Sequence, residues 1–264
     1  MSGAGAGPLH GVPVLVTRAA DDAGPLEEQL AARGAVAVPF PCIAFADPDD
    51  LEPLDAELRA LPGPAAPRWV ALSSPQAVRR FVGRLEQLGF PPAEWLRGKS
   101  LAAVGHGTAR ALQSCGLAAA ALPELGAGAA ALAATLAPLV RGETVLLPRS
   151  EQGSPLLEEA LSKAGARVRP AVLYRTVVPA AGDPVGLSAL RERRIGGILF
   201  ASGSAAHGFV ALLGIEAPGL AAAAKVACMG SRCAAEARAS GLHVDAVGDG
   251  GFPELLDALA ATLG

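Results

Sequence analysis

The chain carries two copies of the same pair of segments, and this repeat restricts its fold more than any other feature. The run Val14-Leu15-Val16-Thr17-Arg18 returns 131 positions later as Val145-Leu146-Leu147-Pro148-Arg149. At the same spacing Leu26, Glu27, Glu28, Leu30, Gly34 and Ala35 fall on Leu157, Glu158, Glu159, Leu161, Gly165 and Ala166. A second segment also repeats: Ser74, Ala77 and Phe81 match Ser202, Ala205 and Phe209 at a spacing of 128. Beyond a short indel, Gly105, Ala109, Gly116 and Leu117 match Gly230, Ala234, Gly241 and Leu242 at 125. In chain order the segments are A, B, A′ and B′. Self-similarity on this scale means duplicated structural units.

Each segment alternates strand and helix. In A, Val14–Thr17 predicts a short strand, and Asp21 and Asp22 are suited to cap a helix with Pro25 early in it. Leu26 and Leu30 share one helical face, Gly34 ends the helix, and Val36–Pro39 forms the next strand. In B the strands fall at Trp69–Leu72, Leu101–Val104 and, weakly, Ala118–Leu122. Its helices fall at Gln76–Leu88, Thr108–Cys115 and Ala127–Leu139. B′ repeats the scheme with strands at Ile198–Ala201, Val226–Met229 and Val244–Val247. Its helices are Ala205–Leu213, Arg232–Ser240 and Phe252–Leu263. Such alternation predicts parallel sheets covered on both faces.

Neither segment has enough strands for a sheet alone, and the connectors decide how the segments combine. B runs into A′ through Val140–Thr144 only, whereas Pro39–Pro67 and Val177–Arg194 are long and proline-containing. Short joins favour one lobe. The expected fold class is therefore α/β, with two similar parallel-sheet, flavodoxin-like lobes, a two-stranded linker and a ligand cleft between them. One lobe takes residues 11–40 and 178–264 from both chain ends, the other takes 43–173, and residues 1–10 form a flexible lead.

Charge and composition remove several functional classes. The net charge is −3 over 264 residues, so no basic field exists to hold nucleic acid or an anionic membrane. Apolar residues make up 51% but aromatics only 4%, which predicts aliphatic cores with few large anchors. The longest run without a charged residue, Ile195–Ile215, is broken by glycine, serine and histidine and reads as strand–turn–helix rather than a bilayer span. Met1–His10 lacks the basic start and apolar core of a secretory signal. Cys42, Cys115, Cys228 and Cys233 form no C-x-x-C pair, and His10, His106, His207 and His243 are scattered. Reduced thiols in a cytoplasmic protein, without a metal site, are expected.

In open parallel sheets ligands bind beyond the carboxyl ends of the strands. Here those loops are Thr17-Arg18, Ser73-Ser74-Pro75, Gly105-His106-Gly107-Thr108, Arg149-Ser150, Ser202-Gly203-Ser204 and Gly230-Ser231-Arg232-Cys233. Each presents backbone N–H groups at a helix start, suited to an anion. Helix capping is the plainer role for any single hydroxyl; six such loops facing one cleft favour a shared anionic ligand. The Gly105-x-Gly107 turn has Arg110 where a dinucleotide fingerprint needs glycine or alanine, which argues against a nucleotide. Tyr174, the only tyrosine, ends a strand where the chain crosses between lobes, and its phenol can donate a proton.

The segments Val14-Leu-Val-Thr-Arg18, Leu72-Ser-Ser-Pro-Gln-Ala-Val78, Ala103-Val-Gly-His-Gly-Thr-Ala109, Leu146-Leu-Pro-Arg149, Tyr174-Arg-Thr176, Phe200-Ala-Ser-Gly-Ser-Ala205 and Ala227-Cys-Met-Gly230 together resemble the uroporphyrinogen-III synthase family. The resemblance covers nearly the whole chain from about Gly11, in the family's order. It implies cofactor-independent closure of the linear tetrapyrrole hydroxymethylbilane to uroporphyrinogen III, with the last pyrrole ring inverted and water lost. It further implies Tyr174 and Thr108 as catalytic residues, with Arg18, Ser73, Ser74, Gly105, Arg149, Ser202, Ser204 and Ser231 binding substrate. A small-molecule substrate, no nucleic acid, no membrane and a monomeric state are expected. Two positions depart from the pattern: Cys233 replaces the threonine that would match Thr108, and Ala201 replaces the threonine before Ser202. The competing expectation is a non-enzymatic ligand-binding or sensory module on the same scaffold.

Overall fold

A computed structural model describes residues 7–124 and 128–264. Among these residues ten strands run in chain order: β1 Pro13–Val16, β2 Val36–Pro39, β3 Ala44–Ala46, β4 Trp69–Leu72 and β5 Ser100–Ala103, then β6 Thr144–Ser150, β7 Arg167–Val177, β8 Gly197–Phe200, β9 Lys225–Met229 and β10 Ala246–Gly248. The helices of the first half are α1 Ala20–Ala32, α2 Glu52–Ala60, α3 Pro75–Gln87, α4 Pro92–Trp95, α5 His106–Ser114 and α6 Ala129–Leu136. Those of the second half are α7 Leu156–Lys163, α8 Pro184–Arg191, α9 Gly203–Leu213, α10 Ala217–Ala221, α11 Gly230–Ala239 and α12 Phe252–Ala261. The chain divides into two compact units, unit 1 comprising the chain up to Phe45 together with Thr176–Gly264, and unit 2 comprising Ala46–Arg175.

Unit 1 holds a five-stranded sheet in the order β10-β9-β8-β1-β2. Its strands are parallel, with Leu15 level with Val38 on one side and with Ile198 on the other. Unit 2 holds the order β3-β7-β6-β4-β5. There β6 runs parallel to both β4 and β7. Matched through the repeat, β2-β1-β8-β9 and β7-β6-β4-β5 have the same order. The chain passes from one unit to the other twice, within β3 and within β7, and these two strands are hydrogen-bonded neighbours.

Burial on both faces follows from the alternation of apolar side chains. In unit 1, Leu15, Ile198, Phe200, Val226 and Cys228 enter one core. Their strand neighbours Val14, Val16, Leu199 and Ala227 enter the other. Period-two partition of uninterrupted apolar strands is what a parallel sheet between two helical layers requires. The first of these cores is not purely aliphatic. Phe209 packs edge-on against Phe40 and Phe200, with ring centroids 6.0 and 5.5 Å away. The helical stretch Gly203–Ala221 is long and apolar enough, by length and composition, to cross a membrane. Ala205, Ala206, Phe209, Ala217 and Ala221 from that stretch are nevertheless packed into the core of unit 1.

Unit 2 adds an ion pair to a buried carboxylate. Asp55 on α2 is 4% exposed, and Arg84 on α3 grips it with Nε 2.7 Å from Oδ1 and Nη2 2.5 Å from Oδ2. The hydrogen bond to Asp55 raises the guanidinium pKa above its ordinary value. A two-pronged pair of this kind ties the two helices together, and Arg59 on α2 stands 3.7 Å from the same carboxylate.

Several elements differ from expectation. The strand foreseen at Ala118–Leu122 reduces to a single bridge between Ala102 and Ala121; its alanines offer no branched side chains to hold an extended edge. Asp21 and Asp22 lie inside the first turn of α1, whose cap residue Ala19 makes no side-chain bond. The strand foreseen at Val244–Val247 forms at Ala246–Gly248, because Asp245 turns its carboxylate onto the Val226 N–H at 2.9 Å. The helix foreseen at Ala127–Leu139 spans Ala129–Leu136, and Ala127 lies outside the described residues.

One contact tests the packing of unit 1. A Cβ on Gly208 would stand 1.9 Å from the Cys42 carbonyl oxygen, so α9 approaches that segment as closely as backbone allows. Gly208→Ala gains about 1 kcal/mol of helix propensity, but overpacking costs about 1–3 kcal/mol and the clash here is with backbone. Net destabilisation is expected, read as a lower urea midpoint at unchanged slope.

Candidate functional site

Parallel sheets concentrate chemistry where the winding direction changes, between two strands whose following loops turn to opposite sides. In unit 2 that point lies between β4 and β6. The loop after β4 supplies Ser73, exposed, and Ser74, half-buried. Ser74 caps α3 by accepting from the Ala77 N–H at 3.0 Å. Beside it, β5 leads to Gly105, buried and extended at φ 178°, which caps α5. Thr108 follows in the first turn of α5 and is 2% exposed. The helix expected to start at Thr108 begins at His106, after the extended Gly105.

Arg149 stands near the carboxyl end of β6. Its Nη1 donates to the Gly153 carbonyl at 3.2 Å, and its Nη2 lies 3.6 Å from a Glu158 carboxylate oxygen. Next to it the ladder shifts register: Arg149 pairs with Val172, but Ser150 pairs with Tyr174. Leu173 is the extra residue of this bulge. Alternation accordingly breaks on β7, where Leu173 and Tyr174 are both buried, at 2% and 8% exposure, and Val172 is exposed. Bulges re-aim side chains near functional sites, and this one turns inward a tyrosine that strict alternation would leave beside solvent. The Tyr174 carbonyl accepts from the Glu151 N–H at 2.9 Å, tying the β6 loop to it.

The equivalent point of unit 1 lies between β1 and β8. Thr17 bridges the two strands, its hydroxyl donating to the Leu199 carbonyl at 2.6 Å with no exposure. Arg18 turns back along α1, where its Nε donates to the Asp22 carbonyl at 2.9 Å and its Nη2 is ion-paired with the Asp22 carboxylate. Ser202 caps α9 by accepting from the Ala205 N–H at 3.3 Å. Ser204 and Ser231 are exposed in the first turns of α9 and α11. The unit structures thus gather Ser73, Ser74, Gly105, Thr108, Arg149 and Tyr174 in one unit, and Arg18, Ser202, Ser204 and Ser231 in the other. A hollow of about 430 Å³ beside Lys225, His243 and Asp245 lies at the opposite, amino-terminal edge of the unit 1 sheet and holds none of them.

Cys233, in place of the repeated threonine, points into the core. It is 4% exposed and donates its thiol to the Phe200 carbonyl at 3.3 Å. A hydrogen bond with Cys228 raises the Cys228 thiol pKa and lowers that of Cys233. Burial alone pushes the Cys42 thiol well above the ordinary range.

Two sheets, each gathering hydroxyl-, glycine- and arginine-bearing loops at the carboxyl ends of its parallel strands, define a duplicated α/β protein. A family model described as uroporphyrinogen-III synthase HemD matches residues 24–250. A uroporphyrinogen-III synthase of Synechococcus elongatus is 30% identical over 209 residues, covering 78% of this chain and 76% of that protein. The porphyrin biosynthesis protein HemD of Ruminiclostridium josui is 32% identical over 118 residues, 45% of this chain and 23% of that longer protein. Among solved structures, the uroporphyrinogen-III synthetase of Helicobacter pylori superposes with a TM-score of 0.62 at 16% identity, covering 96% of this chain and 100% of that one. A mutant uroporphyrinogen III synthase of Thermus thermophilus gives 0.58 at 22% identity, covering 96% and 98%. The chain belongs to the uroporphyrinogen-III synthase family.

The thiols offer a direct check of the site's packing. Cys42, Cys228 and Cys233 are buried and Cys115 is half-buried. At neutral pH a thiol-reactive dye is expected to titrate only the Cys115 position quickly and all four after denaturation. Rapid labelling of Cys233 in the native protein would contradict its place on the buried face of α11.

Proposed function

We propose that this protein closes hydroxymethylbilane to uroporphyrinogen III, inverting the terminal pyrrole ring and releasing water. The observation that carries the reading is the set of loops just described, in a chain of this family: hydroxyls, helix starts and arginines ring the carboxyl ends of both sheets, and the single tyrosine is turned inward beside one of them. The substrate carries eight carboxylates. Charge-assisted hydrogen bonds contribute about 1.5–3 kcal/mol each, so several of them can hold a flexible linear tetrapyrrole in a curved shape, with its two ends oriented for bond formation.

In this reading Tyr174 donates its phenolic proton to the departing hydroxyl, which leaves as water. The azafulvene cation left behind is attacked by the substituted carbon of the far pyrrole ring, giving a spiro intermediate. Fragmentation and reclosure then invert that ring. The proton lost on rearomatisation restores the phenol, so the reaction needs no external oxidant or reductant. Thr108, beside the capped start of α3, positions the substrate together with Ser73, Ser74 and Gly105. Ser202, Ser204 and Ser231 serve the same end in unit 1, and Arg18 and Arg149 are the candidate carboxylate partners. The four free thiols fit a reducing, cytoplasmic setting.

The decisive experiment supplies hydroxymethylbilane and identifies the product isomer by chromatography. Spontaneous closure gives isomer I, so a protein that leaves isomer I as the sole product does not have this activity. Tyr174→Phe is expected to lower turnover by about 100-fold, within the usual range for a lost general acid. Its melting temperature should be nearly unchanged, since only a hydroxyl is removed. Wild-type turnover in that variant would take Tyr174 out of the donor role.

A further inference from the structure

Past its last rung with β6, the strand that carries Tyr174 is anchored by a small set of charges. The ladder between β6 and β7 ends at Ser150 and Tyr174, one residue beyond the bulge at Leu173. The next residue, Arg175, reaches across to the chain that follows β3. Its Nε donates to the Asp47 carbonyl at 3.1 Å, and its Nη2 lies 2.9 Å from an Asp49 carboxylate oxygen. Asp47 is also held from a second direction. Its carboxylate accepts from Nη1 of Arg80, on α3, at 2.8 Å. The end of β7, the Asp47–Asp49 segment and α3 are thereby tied together, all inside unit 2. The start of that same α3 is capped by Ser74.

This linkage acts where the backbone has two choices. A one-residue slip turns every following side chain of a strand to the other face, and a bulge builds such a slip into one strand. Leu173 and Tyr174 are both buried because of it. Without a fixed point beyond the bulge, β7 can return to plain alternation, with Leu173 inside and Tyr174 outside. Arg175 supplies that point: while its guanidinium stays on Asp47 and Asp49, the residue before it keeps its inward direction. The side chains of Arg175 and Arg80 are largely covered, whereas those of Asp47 and Asp49 are exposed. Exposed ion pairs add little to overall stability. What this network contributes is direction rather than strength.

We infer that Arg175 is a positioning residue for Tyr174, and that Asp47, shared between Arg175 and Arg80, fixes the phenol relative to the start of α3. The inference rests on the reading of Tyr174 as proton donor and goes past it, because that reading gives Arg175, Asp47 and Arg80 no part. Arg175 acts through the tyrosine and not on the reacting atoms.

Tyr174 is the only tyrosine, so its exposure can be read without activity, from the rate at which N-acetylimidazole acetylates it in the folded protein. Arg175→Gln is expected to raise that rate and to lower kcat, each by about 10-fold, inside the range of up to about 100-fold for a misplaced reacting group. KM for hydroxymethylbilane should stay within about twofold, and the melting temperature within about 2 °C, as for other exposed pairs. Arg175→Lys, which keeps a charge for Asp49, should restore part of both losses. Asp47→Ala frees Arg80 but leaves the carbonyl to Arg175, and should move both readings about threefold in the same direction. Arg191→Gln removes an exposed pair with Glu216 in unit 1 and should change neither. Wild-type acetylation in R175Q, or a loss confined to KM, overturns the inference; should R175Q not fold, wild-type acetylation in D47A does so. If the wild-type protein forms no isomer III, the functional reading fails, while the acetylation rates still decide whether Arg175 holds Tyr174 inward.

Discussion

The pairing of β1 with β8 is the contact on which the rest of unit 1 depends. Pro13–Val16 is four residues long and buried on both faces, so it cannot persist without a hydrogen-bonded neighbour on each side. One neighbour, β2, is local; the other comes from the far end of the chain. Only when Leu199 arrives does Thr17 gain the carbonyl that its buried hydroxyl requires. The site geometry of this unit is therefore set by a long-range pairing, and β4 with β6 plays the same part in unit 2 over a shorter stretch.

Duplication explains why both units present candidate residues at corresponding places, and divergence explains why they need not do the same work. The strand–turn–helix frame is shared, down to an arginine that bonds the carbonyl four residues on. What differs is the charge around it. A single position, aspartate in one copy and glycine in the other, sets which carboxylate faces the arginine: Asp22 in unit 1 and Glu158, 3.6 Å away, in unit 2. The same holds for Cys233 against Thr108: one side chain is committed to the Phe200 carbonyl, the other is a buried hydroxyl in the first turn of α5.

Much of the frame was legible in the residues themselves. Uninterrupted runs such as Val14-Leu15-Val16, glycines closing the helices and proline near their starts carry local, short-range information, and strands and helices follow them closely. The short join Val140–Thr144 likewise spoke for neighbouring strands. The site was less legible because its determinants are not local. Nothing in the string Arg149–Gly153 announces a bulge at Leu173 on the facing strand, and the bond from Cys233 to the Phe200 carbonyl depends on how α11 packs beside β8. Asp22 looked like a cap because caps are read from sequence neighbours, whereas its carboxylate answers to the arginine four residues before it. The Ala118–Leu122 segment shows the opposite failure, an apolar run with too little side chain to hold an edge strand.

The split composition of unit 1 has a consequence for biosynthesis. Its first strand leaves the ribosome roughly 180 residues before β8, and at about 5–20 residues per second that leaves it half-paired for roughly 10–40 seconds. Unit 2, an uninterrupted stretch of chain ending at Arg175, is complete shortly before β8 begins at Gly197. The nascent polypeptide thus carries an unfinished apolar ribbon through most of its translation, and the speed of the ribosome between β1 and β8 governs how long that ribbon stays open to chaperones or to aggregation.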